Sequence, residues 1–175
     1  MLDANRLFIP VKIAVLTVST TRTAEDDLSG DMLAEKITQA GHRLQARTLV
    51  VDHEGTIISQ LRTWIADENI DVIISTGGTG VTGTDVTPEA FAAVWDKEIP
   101  GFGELFRWLS YKHIGTSTIQ SRATAGVAHG TYLFALPGSP SACRDGWDEI
   151  ICAQLDNRQR PCNLVELMPR LSDAN

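Results

Sequence analysis

The chain has 175 residues, 43% of them hydrophobic and 21% charged, the balance of a soluble globular domain large enough to bury a real core. Its net charge of −7 excludes a general nucleic-acid role, which needs a basic footprint, so an anionic ligand would have to be held by local groups. No apolar stretch approaches a membrane span and the start MLDANRLFIPVK lacks a signal-peptide pattern; no membrane is expected as a partner, and one cytoplasmic domain is expected over residues 1–175.

VKIAVLTV, Val11 to Val18, is a nearly continuous β-branched run, the pattern of a strand buried on both faces. Polar TTRTAEDDLSG follows, then a helical stretch from about Asp31 to Ala40 that stops at Gly41. LQARTLVVD, Leu44 to Asp52, reads as a second strand. Ile57, Ile58, Leu61, Trp64 and Ile65 then repeat at helical spacing. DVIIST, Asp71 to Thr76, is a third strand and feeds a glycine-rich loop. Helices are expected after Pro88, marked by Phe91, Val94 and Trp95, and around Leu105, Phe106 and Leu109. TYLFALPG, Thr131 to Gly138, is a last strand entering a helix with Trp147, Ile150, Ile151 and Leu155 on one side. The tail from about residue 157 reads as irregular, lying on the surface or swapped onto a neighbour. Strands alternating with helices predict an α/β fold with a mainly parallel sheet and helices on both faces. Ligands of such folds bind beyond the carboxyl ends of the strands.

Gly78, Gly80 and Gly83 match G-x-G-x-x-G, but the context is wrong for a dinucleotide site. That fingerprint turns directly from strand into helix, whereas here the next start signal is Thr87-Pro88, with Thr87 as N-cap and Pro88 at the first helical position. The match is accidental. What remains is a strand ending in Thr76-Gly77-Gly78-Thr79-Gly80. Its glycines would let backbone N–H groups converge on phosphate oxygens, and Thr76, Thr79 and Thr84 add hydroxyls. Asp85 ends the loop. A carboxylate beside a phosphate nest repels the ligand unless a cation lies between, so Asp85 points to Mg²⁺. The competing reading is a flexible turn with a solvated Asp85.

A second loop, Pro137-Gly138-Ser139-Pro140, repeats the design of strand, glycine turn and Ser/Thr-Pro cap. Two such ends on one side of a sheet make a site for an extended ligand with several polar groups. Ser19 and Arg22 follow the first strand, Asp52 ends the second, and Ser121 and Arg122 lie in the hydroxyl-rich GTSTIQSRATAG; Arg122 is a candidate phosphate clamp. Structural alternatives stay open for these: Asp52 as a helix cap, Arg22 paired with Glu25 or Asp26, Ser121 as a turn residue. Three cysteines without C-x-x-C spacing argue against disulfides or zinc, the four histidines show no metal spacing, and no nucleophile elbow is present.

"TVSTTRTAEDDLSG", "ISTGGTGVTGTDVTPEA", "EIPGFGELFR", "GTSTIQSRATAG" and "LPGSPSACRDGWDEII" resemble the molybdopterin-binding family, from about Phe8 to Leu164, and "RPCNL" resembles its molybdenum cofactor biosynthesis protein B branch. The resemblance implies a three-layer α/β/α fold of molybdopterin-binding-domain type, assembled as a homotrimer or homohexamer. It implies Mg²⁺·ATP-dependent adenylylation of molybdopterin with release of pyrophosphate, and possible partners among other proteins of the same pathway. The family's acidic residues fall on Asp52 and Asp85, expected to be catalytic and to hold Mg²⁺. Its binding loops fall on Gly77, Gly78, Thr79 and Gly80 and on Pro137, Gly138 and Ser139. Ser19, Thr76, Ser121 and Arg122 complete the expected binding set. The alternative is a non-catalytic carrier or scaffold that binds the pterin without transferring anything to it.

Overall fold

A computed structural model describes residues 1–171 of the chain. Six strands form one sheet in the order β2-β1-β3-β6-β5-β4. β1 (Lys12–Val18), β2 (Arg43–Val50), β3 (Val72–Thr76) and β6 (Thr131–Leu136) run parallel, while β5 (Thr124–Ala128) runs antiparallel between β6 and the two-residue β4 (Lys97–Glu98). The α/β class and mainly parallel sheet agree with the expectation; β4 and β5 are additions to it.

The apolar runs are continuous because the central strands have two cores to fill. Ile13, Val15, Val72, Ile74, Phe134 and Leu136 face α1 (Leu28–Gln39), α4 (Pro100–Ile114) and α5 (Pro140–Gly146), with Leu33, Phe106 and Trp147 among the facing residues. Leu16, Val18, Ile73 and Leu133 face α2 (Glu54–Ile65) and α3 (Thr87–Ala92), with Ile57, Leu61 and Phe91 opposite. Helices therefore cover both faces, giving three layers. α5 runs on through a π-helical turn, Trp147–Ile151, into α6 (Cys152–Gln154).

The first helix begins earlier than Asp31 because Asp27 caps it, accepting from the Gly30 N–H at 3.0 Å. The same carboxylate accepts from the Thr17 hydroxyl on β1 at 2.6 Å and from Arg47 on β2 at 2.8 Å. Burial pushes the Asp27 carboxyl up, but Thr17, Arg47 and Gly30 together hold it below its ordinary value. A carboxyl lowered by folding stabilises the protein once ionised, and that contribution is lost as pH falls through the lowered folded value. Since an unfolded Asp titrates near about pH 4, stability should fall below that point in wild type and fall less steeply in Asp27→Asn, measured as urea midpoints across the acid range.

As far as Leu171 the tail lies on the surface of its own chain, one of the two expected arrangements. Asn157 is buried, accepts from the Ile9 N–H at 2.9 Å and donates to the Leu7 carbonyl at 2.9 Å. Tyr132 donates to the Leu164 carbonyl at 3.0 Å, and Val165 packs into the core beneath a 3₁₀ turn, Val165–Arg170.

Candidate functional site

The sheet reverses its winding between β1 and β3. From β1 the chain moves outward to β2, then crosses back to β3 on the other side. Same-handed crossovers put α1 and α2 on opposite faces, so the loops leaving β1 and β3 diverge and leave a crevice at the carboxyl edge. A cleft of about 560 Å³ opens there. Ser19 and Arg22 come to it after β1, Asp52 after β2, Gly77, Gly78, Thr79, Gly80 and Asp85 after β3, and Pro137, Gly138 and Ser139 after β6; Ser121 closes one side.

The glycine loop can take this path only with glycine at its first two positions. Gly77 has φ +102° and Gly78 φ +65°, and a methyl on Gly77 would overlap the Val18 carbonyl. Two later contacts define the site. A Cβ on Gly78 would lie 3.3 Å from Asp52 Oδ1, and one on Gly80 would lie 2.6 Å from Asp85 Oδ2. The loop is thus flanked by two carboxylates, each in close approach to a different glycine. Asp85 is held by Thr82, which donates from its hydroxyl at 2.6 Å and its backbone N–H at 2.8 Å. Burial opposes ionisation of Asp85; the Thr82 donors, the Gly80 N–H and the Arg122 charge outweigh it and keep its carboxyl below the usual range. Asp52 accepts from the Thr20 hydroxyl at 2.9 Å. It does not cap α2, where His53 takes that place.

The nest is smaller than Gly77 to Gly80. The Gly77 N–H donates to the Leu136 carbonyl at 3.0 Å, extending the sheet, and Gly80 lies against the Asp85 carboxylate. Among the described residues, the Gly78 and Thr79 N–H groups have no protein acceptor. Thr76 is fully buried and outside the cleft lining; its hydroxyl donates to the Pro137 carbonyl at 3.0 Å, tying the loop after β3 to the loop after β6. Cys143 sits beneath the same junction, its thiol pushed up to about 11 by burial. Thr87 is not the N-cap of α3. It is the first helical residue, Val86 precedes it without a side-chain cap, and the Thr87 hydroxyl donates to the Gly77 carbonyl at 2.9 Å. The start of α3 therefore buttresses the loop from behind. Ser139 does cap α5, accepting from the Ala142 N–H at 3.2 Å.

Arg122 does not face the cleft. Its Nε donates to the Gly80 carbonyl at 2.6 Å, Nη2 to the Asp85 carbonyl at 2.5 Å, and Nη1 pairs with Glu89. All three nitrogens are engaged in pinning the acid-bearing loop, so the expected clamp is a staple. Residues the reading missed are Val18 and Thr21 at the end of β1 and the loop after it, Ala142 on α5, and Phe106, Ser110, Ile114, Ser117 and Gln120 on α4 and the turn that follows it. Ser110 and Phe106 share a helix face at i, i+4, a spacing visible in the sequence but indistinguishable from ordinary core periodicity.

Known proteins resemble this chain along most of its length. Residues 14–157 match the family described as "Probable molybdopterin binding domain". The chain is 51% identical over 163 residues to the molybdenum cofactor biosynthesis protein B of Escherichia coli (strain K12), covering 93% of this chain and 96% of that protein. A crystal structure of a molybdenum cofactor biosynthesis protein B superposes with a TM-score of 0.86 at 36% identity, over 97% of this chain and 100% of the other. The tungsten cofactor synthesizing protein of Pyrococcus furiosus superposes with a TM-score of 0.77 at 31% identity, over 94% and 98%. With the match spanning the sheet and every loop of the cleft, the chain belongs to the molybdopterin-binding domain family.

Proposed function

We propose that this protein acts in molybdenum cofactor biosynthesis, and that its cleft binds molybdopterin and ATP and transfers AMP from one to the other. The observation that carries the reading is the pair Asp52 and Asp85, set against successive glycines of one loop whose Gly78 and Thr79 N–H groups have no protein acceptor. In the reaction an oxygen of the pterin's terminal phosphate attacks the α-phosphorus of ATP; the bond from that phosphorus to the bridging oxygen breaks and pyrophosphate leaves. The attacking oxygen is already ionised, so no side-chain base is needed. The protein's task is to hold two anions together in line.

The residues present suit magnesium. Mg²⁺ is usually held by one or two carboxylates together with substrate phosphates and water, and the cleft supplies two. Among the described residues no group of three or more His, Cys, Asp or Glu forms a dense all-protein cage, which fits an ion that arrives with nucleotide. Asp52 and Asp85 would hold it, and it would supply neutralisation of phosphate charge. Gly78 and Thr79 offer N–H donors to phosphate oxygens, while Arg122 keeps Asp85 and Gly80 in register. The test is product analysis of purified protein with molybdopterin and Mg·ATP. Adenylylated pterin and pyrophosphate should appear in equal amounts. Tight pterin binding without pyrophosphate would reject the transferase in favour of the non-catalytic carrier or scaffold.

The proposal extends to assembly and location. On α4, Leu105, Trp108, Tyr111 and Ile114 leave a large apolar surface exposed, with Trp108 at 59%. We place a contact between copies of this chain there, as in the homotrimer or homohexamer expected of the family, alongside contacts with other proteins of the pathway. Sedimentation equilibrium should return a multiple of the 19.1 kDa chain, and Trp108→Glu should shift it toward the monomer. No helix among the described residues is long and apolar enough to cross a membrane. Three cysteines without a bridge are in keeping with the reducing cytoplasm, where we place the protein.

A further inference from the structure

We propose that Arg22, rather than Arg122, is the cation that binds a ligand phosphate in this cleft. The inference rests on reading the cleft as a site for phosphate-bearing ligands, but not on transfer between them. Among the described residues Arg22 is the one lysine or arginine lining the cleft, which otherwise carries Asp52 and Asp85. Five of the eleven arginines pair with carboxylates: Arg6 with Glu166, Arg47 with Asp27 and Asp31, Arg122 with Glu89, Arg158 with Asp156, Arg160 with Asp3. Arg22 is among those that do not, and it is the one of them that lines the cleft among the described residues. Among the described residues its guanidinium has no carboxylate partner, although Glu25 and Asp26 follow closely in sequence.

The side chain is nevertheless positioned. Its Nη2 donates to the Gly138 carbonyl at 2.8 Å. The turn that carries it is fixed by Ser19, whose hydroxyl oxygen accepts from the Thr21 N–H at 3.3 Å and the Arg22 N–H at 3.1 Å. A Cβ on Gly138 would stand 3.3 Å from Gly77 Cα and 3.8 Å from Arg22 Nη1. The guanidinium thus sits where the loops leaving β1, β3 and β6 meet, with one nitrogen anchored and Nη1 and Nε left without protein acceptors. A planar fork held on one side is suited to two parallel bonds to phosphate oxygens on the other. Asp27 shows what happens to an arginine with a carboxylate in reach; Arg22 has been left the opposite arrangement, an unneutralised charge in a cleft that also holds two acids.

The competing role is that Arg22 only anchors Gly138. Ser29 separates the two, because its hydroxyl donates to the same Gly138 carbonyl at 2.9 Å and carries no charge. ATP and molybdopterin are titrated separately, without chemistry being monitored, into wild type, Arg22→Gln and Ser29→Ala over a range of NaCl concentrations. Arg22→Gln should raise Kd about tenfold or more for one of the two ligands and flatten its dependence on salt, since a charge contact is screened and a neutral anchor is not. The ligand that suffers identifies whose phosphate is held. Ser29→Ala should leave the salt slope as in wild type. The proposal is overturned if Arg22→Gln binds both ligands like wild type, or if it weakens them with an unchanged slope. Failure of the transferase reading would instead appear as absent pyrophosphate in wild type, with these binding curves intact.

Discussion

Asp85→Asn should lower the rate of pyrophosphate release by roughly 10²–10³-fold, the range seen when one preorganised electrostatic contact to a transition state is removed. The substitution keeps the shape of the side chain and its capacity to accept from Thr82, whose hydroxyl and N–H both reach Asp85 Oδ2. What it removes is the negative charge that would hold Mg²⁺ against the phosphates. Because the Asp85 carboxyl is held below the usual range, it is ionised throughout neutral pH, and wild-type activity should not fade until well into the acid range. Stability should stay within about 0.5 kcal/mol of wild type, since Asp85 is partly exposed and its loop remains stapled by Arg122. Rate measurement beside a thermal melt separates the two effects. A variant as active as wild type would show that the carboxylate has no part in transfer.

Gly77→Ala should cost the fold about 3 kcal/mol or more. Two penalties coincide at one atom. The backbone at φ +102° is one that side-chain-bearing residues rarely adopt, and the added methyl meets the Val18 carbonyl, which belongs to β1 and cannot swing aside. Relief would require breaking the Gly77 N–H bond to Leu136 that joins β3 to β6. Gly83→Ala is the matched control. Nothing lies within 4 Å of where its methyl would be and its φ is ordinary, so its urea midpoint should not move. The contrast also bears on the accidental G-x-G-x-x-G: its last glycine has no packing partner to protect, whereas Gly77, outside the pattern, has no freedom at all.

Those two glycines show why part of the molecule was legible and part was not. β1, β3 and β6 announce themselves because strands buried on both faces must be apolar along their whole length. β5, TAGVA, does not; its small residues become a strand only because β6 offers a free edge, and the two residues of β4 follow from β5. Thr87 illustrates a different limit. Ser/Thr before Pro correctly marked both helix starts, and Ser139 caps as expected, but the Thr87 hydroxyl finds the Gly77 carbonyl instead. Local pattern tells where a helix begins, while tertiary neighbours decide what its first hydroxyl binds. The same holds for the arginines. The sequence points to Arg122 as the clamp and leaves Arg22 as a residue that could pair with Glu25 or Asp26, until the structure shows Glu89 and two carbonyls around the first and an open cleft beside the second.

The cleft draws on residues 18–22, 52, 77–85, 106–121 and 137–142, so its walls come from the beginning, the middle and the last quarter of the chain. A ribosome-bound chain that has not released β6 has Asp52 and Asp85 but lacks the Gly138 carbonyl on which Arg22 is anchored and the strand on which Gly77 closes. No partly folded fragment can offer the ligand its complete set of contacts. A molecule that binds there therefore favours only the finished fold, by an amount that grows with the logarithm of its concentration over Kd. Supply of the ligand would then help set how much of this protein survives the cell's proteases, linking abundance to demand without any separate regulator.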